Sequence, residues 1–149
     1  MSQSMVTDIR FSWGFMLEDG GSKMMQFYEI LFDRVPEARA LFSDIPAQAQ
    51  KLSKTVGYVV SNIDNIESIK PAIEDLGRIH QRLNIERSYY PHVREALIET
   101  VKITMGDEYR EHIGQSWRTA LNVLSEIMIN APKEKKSPGL MGKIFGSKS

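Results

Sequence analysis

Apolar residues recur at helical spacing through most of the chain. Leu52, Val56, Val59 and Ile63 stand at i, i+4, i+7 and i+11, one stripe along one helix. Trp117, Leu121, Leu124 and Met128 repeat that spacing, and Val93, Leu97, Val101 and Met105 step by four. Pro36, Pro46, Pro71, Pro91, Pro132 and Pro138 fall between such segments or at their edges. Proline suits a first helical turn, where its missing N–H costs nothing, and breaks a helix interior. Gly20-Gly21 divides an opening segment over 4–18 from a second over 22–35. Gly106-Asp107 separates the last two long helices, with Asp107 the expected N-cap. No stretch alternates apolar and polar residues as a strand does, and no repeat of solenoid length is present. The pattern predicts an all-α domain of six or seven helices, with two long ones at the C-terminal end.

Composition narrows the class. With 149 residues, 42% hydrophobic and 26% charged, the chain can build one sizeable core. Nineteen basic and nineteen acidic residues cancel, which argues against bulk nucleic-acid binding. The cancellation conceals an asymmetry. From Ala131 to Ser149 five lysines stand against Glu134 alone, so this tail carries +4 and residues 1–130 carry −4. Thirteen of the tail's nineteen residues are Lys, Gly, Ser or Pro, too polar a mixture to order itself. The folded domain is expected over 1–130 and a basic tail over 131–149. Within the tail, Lys133, Lys135 and Lys136 precede the short apolar and basic segment Gly139–Phe145; with two glycines in seven residues a solvated tail is the expectation, and weak contact with an anionic membrane surface the alternative. Met1 to Asp8 show no secretory signal, and no run approaches the roughly 18 apolar residues of a span. A soluble, cytoplasmic protein is expected.

Candidate chemistry is sparse. The chain has no cysteine and three histidines, which excludes disulfides and cysteine nucleophiles and leaves too few ligands for a zinc site. Ser53, Ser61, Ser116 and Ser125 have no glycine-rich elbow, and Gly20-Gly21 lacks the glycine and lysine of a phosphate loop. His92, after Pro91, and His112, among Glu108, Arg110 and Glu111, are expected on solvated faces. His80 differs. It shares the i, i+3, i+7 apolar stripe of Ile73 and Leu76 near a helix end. An imidazole so placed is a hydrogen-bonded core group or a ligand, and in an apolar pocket it suits haem iron.

Four ordered segments carry a resemblance. Phe27-Tyr28-Glu-Ile-Leu-Phe32, Val35-Pro36-Glu-Ala-Arg-Ala-Leu-Phe42, Leu76-Gly77-Arg78-Ile-His80 and Tyr90-Pro91-His-Val93 resemble a bacterial single-domain globin, related to the haem domain of flavohaemoglobins. The likeness runs over about residues 5–130. The Pro36-to-Phe42 spacing matches that family's short C helix and corner phenylalanine, Tyr28 lies fourteen residues before Phe42 as the distal B-helix position does, and Trp13 resembles the tryptophan of the first helix.

The resemblance implies a three-over-three helical sandwich around a b-type haem. It implies His80 as proximal iron ligand, Phe42 on the porphyrin face, Leu76 and Ile85 wedged on the proximal side, and Tyr90, Val93 and Leu121 along the pocket. Leu52 heads the E-helix stripe and Gln48 lies one turn back at i−4, so its amide is expected beside the Tyr28 phenol; Gln50 points elsewhere. No histidine stands near Leu52, which argues against a bis-histidine iron. Two such donors imply tight O2 binding, with CO and NO as further ligands, and a role in NO detoxification or O2 sequestration with an external reductase. A gas or redox sensor signalling through a protein or membrane partner is the alternative, and a haem-free helical interaction domain a third reading. Two departures from the family stand out. The family's proximal carboxylate falls at or near Pro132, with Glu126 and Glu134 out of register, and Leu121 stands where relatives often have tyrosine.

Overall fold

The computed structural model describes residues 1–19 and 22–133. They form six α-helices: α1 (Gln3–Met16), α2 (Met24–Arg34), α3 (Ile45–Ser61), α4 (Lys70–Arg82), α5 (Tyr89–Met105) and α6 (Glu111–Ile129). Short 3-10 helices over Pro36–Leu41, Ile66–Ile69 and Gly106–Glu108 connect them, and no strand occurs among the described residues. No helix among these residues is long and apolar enough to cross a membrane. The all-α expectation is met. The tail beyond Lys133, with its apolar and basic segment, lies outside the described residues, as does Gly20-Gly21.

Caps explain several boundaries. The Asp44 carboxylate accepts the Ala47 N–H at 3.1 Å, with Pro46 in the first turn of α3. The Ser2 hydroxyl accepts the Met5 N–H at 3.3 Å at the start of α1. Asp107, in contrast, does not cap α6. Gly106 ends α5 at φ 56°, in the left-handed region that favours glycine. Asp107 and Glu108 then belong to one tight turn, closed by the Tyr109 N–H on the Gly106 carbonyl at 3.1 Å. The helix starts four residues after Asp107, past the extended Arg110. The stripe from Leu52 also outlasts its helix: α3 ends at Ser61, and Ile63 is buried from the turn beyond.

The helices stack in two layers. α1, α3 and α4 lie over α2, α5 and α6, with α2 packed on α3 and α5, α1 on α5 and α6, and α4 on α6. This is the three-over-three sandwich expected. Between the layers Trp13 and Trp117 face each other with centroids 6.3 Å apart. The buried Trp117 indole donates to Ser12 Oγ at 2.8 Å, and the Ser12 hydroxyl donates to the Asp8 carbonyl at 2.8 Å, so the polar atoms inside this apolar layer are satisfied.

The contact of α4 with α6 is unusually close. A Cβ at Gly77 would overlap the Met128 carbonyl and come 2.7 Å from its Cα, so the two helices touch backbone to backbone there. Arg78 reinforces the contact by donating to the Pro132 carbonyl at 2.9 Å, and Ala131 is buried. Attachment to the fold therefore continues to residue 132.

Gly77→Ala is expected to destabilise the fold by about 1–3 kcal/mol in urea unfolding, because the added methyl meets backbone that cannot rotate away. Gly14→Ala, where a Cβ meets nothing within 4 Å, should instead be neutral or stabilising by up to about 1 kcal/mol. Equal effects at the two positions would show that the α4–α6 approach is not tight.

Candidate functional site

Pro36 starts the 3-10 helix, and Phe42 follows it in an extended conformation (φ −127°, ψ 136°) that turns the ring back on α2. Its centroid lies 5.3 Å from the Tyr28 ring and 6.0 Å from Phe32. Tyr28 is buried among these rings, and the Gln48 side chain, from the first turns of α3, lies close enough to act on its hydroxyl. Burial pushes the phenol well above its ordinary range, and the nearby Gln48 side chain offsets only part of that. Tyr28 is thus a neutral phenol that keeps its proton for donation. Gln50 is exposed, as its place on the helix requires.

On α4, Ile73 and Leu76 are buried and His80 follows in the last turn, so the stripe read from the sequence is real. Burial lowers the imidazole to about 4, so it is neutral at physiological pH. Its Nδ1 lies 3.2 Å from Tyr90 Oη, with the rings edge to face at 5.9 Å. Tyr90 occupies the first turn of α5. The turn between the two is closed by Asn84 at φ 59°, an uncommon conformation that asparagine tolerates. The Ile85 N–H then reaches the His80 carbonyl and the Asn84 N–H the Gln81 carbonyl, each at 3.0 Å, a paired helix-end motif that ties Ile85 to the turn carrying His80. Sequence reasoning missed Asn84. The only available signal was an asparagine a few residues past the end of a periodic segment.

Apolar residues around these groups are incompletely covered by the protein's own packing. Phe42, Leu52, Val56, Ile85 and Leu121 are half-buried, and Val93, the first residue of its stripe, is 37% exposed. Phe42, Leu52, Val56 and Leu121 border the main core that contains Tyr28. Leu76 belongs to a separate small cluster with Ala72, reached by Tyr58 and Met128. Tyr58, which sequence reasoning also passed over, therefore touches both halves of the site.

The remaining predicted features fall elsewhere. His112 is exposed, with Nδ1 3.0 Å from Asp8 Oδ2, and Ser116 donates to the same oxygen at 2.8 Å. His92 is not fully solvated: it is half-buried and accepts a hydrogen bond from Arg34 Nε at 3.3 Å, because α5 begins beside the end of α2. Glu126 is exposed and accepts from the Asn130 amide at 3.2 Å, along its own helix. Glu134 lies outside the described residues. No group of three or more acidic, histidine or cysteine side chains that could hold a bare metal ion occurs among the described residues.

Comparison with known proteins agrees with this architecture. A model of the globin family matches residues 25–128. A flavohemoprotein of Oceanobacillus iheyensis is 31% identical over 121 residues, covering 78% of this chain and 30% of the relative. A globin-like protein of Aquifex aeolicus, of uncharacterised role, is 25% identical over 135 residues, covering 90% of this chain and 96% of its own. Among solved structures, an engineered carbene transferase and candidate nitric oxide dioxygenase from Rhodothermus marinus superposes with a TM-score of 0.75 at 26% identity, over 86% of this chain and 90% of that one. The chain spans about a third of the length of the flavohemoproteins it matches. A family match from the start of α2 to the last turn of α6, carried on a three-over-three sandwich of helices, makes this chain a member of the globin family.

Proposed function

We propose that the chain holds a haem between the α3 and α4 side chains, with His80 as the iron ligand and Tyr28 and Gln48 as donors to a bound gas. The donor set fits the group. His80 is a neutral imidazole, the form that coordinates iron, and half-buried apolar residues offer the surface a porphyrin would cover. With no cysteine for thioether attachment, the haem would be held non-covalently, which fits the b type expected. When bound, it supplies an iron atom that takes O2, CO or NO reversibly.

The protein's own residues then set the outcome. Tyr90 orients the His80 ring through Nδ1, which assigns Nε2 to ligation. Phe42 and Leu52 exclude water from one side, and Leu76 and Ile85 pack the other. The buried, neutral Tyr28 phenol beside the Phe42 ring, with the Gln48 side chain near its hydroxyl, is the observation that carries the functional reading. A phenol and an amide together donate two hydrogen bonds to a gas that draws negative charge, each worth ~1–3 kcal/mol. Together they slow O2 release by roughly 10²–10⁴-fold, at ~1.4 kcal/mol per tenfold. Slow release is poor for delivery. It suits reaction with NO to give nitrate, or O2 sequestration. The described residues form one globin domain, so electrons come from a reductase separate from it.

Tyr28→Phe should raise the O2 dissociation rate at least tenfold in stopped-flow mixing, and an unchanged rate would remove the distal-donor reading. His80→Gly should abolish the Soret band of reconstituted protein, and added imidazole should restore it. Steady-state nitrate yield with an added reductase separates catalysis from sensing; a yield no greater than free haem gives would sink the detoxification role. The haem-free protein carries its own pH signature. The unfolded imidazole takes a proton near 6.5 and the folded one near 4, so the unfolded state binds more protons in that window. Stability should be complete above about pH 6.5 and fall as pH drops toward 4, by up to about 3 kcal/mol. Urea titrations should show this decline flattened in His80→Gln.

A further inference from the structure

A pocket of about 290 Å³ opens behind Tyr90, where the ends of α4 and α6 meet the turn into α5. Gln81, Arg87, Tyr90, Asn130 and Lys133 contribute its polar lining, over an apolar floor that includes Met128. No acidic side chain among the described residues lines it. Two cations, two amides and a phenol form a donor set for an anion. Arg87 is also close enough to act electrostatically on the Tyr90 phenol.

Hydrogen-bond accounting at Tyr90 supplies a second, independent reason. With His80 ligating through Nε2, its Nδ1 carries the proton and donates to Tyr90 Oη at 3.2 Å. The phenol is then an acceptor on that side and still has its own proton to donate. Among the described residues Tyr90 has no hydrogen-bond partner besides His80, and its ring borders the cationic pocket.

We propose that this pocket binds a small oxyanion, a carboxylate or phosphate, held by Arg87 and Lys133 and accepting a hydrogen bond from Tyr90. The binding stands on the pocket alone. Its consequence rests on the haem reading: an acceptor beyond Tyr90 strengthens the bond from His80 Nδ1–H and makes the imidazole a more basic iron ligand. The anion thus tunes the ligand from behind, through Tyr90 as a positioning residue.

The test uses the full chain in its ferrous CO form. Sodium acetate and sodium phosphate are titrated at constant ionic strength against chloride, and the Asn130 and Gln81 side-chain amide resonances are followed. The expected result is saturable shifts with the oxyanions and none with chloride, weakened at least fivefold by Arg87→Gln. Linear shifts, shifts shared with chloride, or unchanged affinity in Arg87→Gln would overturn the site. Saturation seen only in Glu134→Gln would mean that the chain's own next carboxylate takes the place, which overturns a dissolved anion as occupant. The iron–imidazole stretch of the ferrous, CO-free protein should rise with oxyanion and stay fixed in Tyr90→Phe; a band that never moves overturns the coupling to iron. Failure to form a CO-shifted Soret band would count against the haem reading, while the resonance titration still reads the site.

Discussion

The backbone contact between α4 and α6 is the constraint on which the rest depends. α4 packs mainly on α6, and it does so at a point where only a glycine fits. Arg78, one residue on, fastens the same face to the Pro132 carbonyl. His80 lies one turn further along this anchored helix. The Asn84 turn then aims α5 so that Tyr90 returns to His80. The six-residue connection over 83–88 thus sets Tyr90 against the imidazole.

Burial acts on the two sides of the site in a common sense. It raises the Tyr28 phenol and lowers the His80 imidazole, and each shift favours the neutral form. The candidate site therefore holds a phenol and an imidazole without carrying a charge. Gln48 moderates the phenol without ionising it. This neutrality is the electrostatic condition that the proposed gas site requires, in which charge arises only with the ligand. The polar and cationic groups are kept to the outer face of Tyr90, around the pocket there.

Much of this was legible along the chain. The 3.6-residue period gave the helices, and Pro36, Pro46 and Pro71 marked their starts because proline is tolerated there and nowhere inside. His80 was singled out by two apolar neighbours at fixed offsets, and Gln48 by its place one turn before Leu52. Asp107 misled because a cap depends on the backbone angles that follow it, and Gly106 sends the chain into a separate turn first. Ile63 misled in the opposite direction, since burial continued after the helix had ended.

The sequence by itself determined the helices, the family, and the histidine and tyrosine that the candidate site brings in. Those follow from local periodicity and from ordered spacings, which need no knowledge of what folds against what. Only the tertiary structure decided that Tyr28 meets Gln48, that Tyr90 faces His80 Nδ1, and that Asp8 gathers both His112 and Ser116. It also decided that Gly77 is a contact rather than a gap. The reason is physical: hydrogen bonds and close packing act over a few ångströms, and residues a hundred positions apart come within that range only when two helices cross.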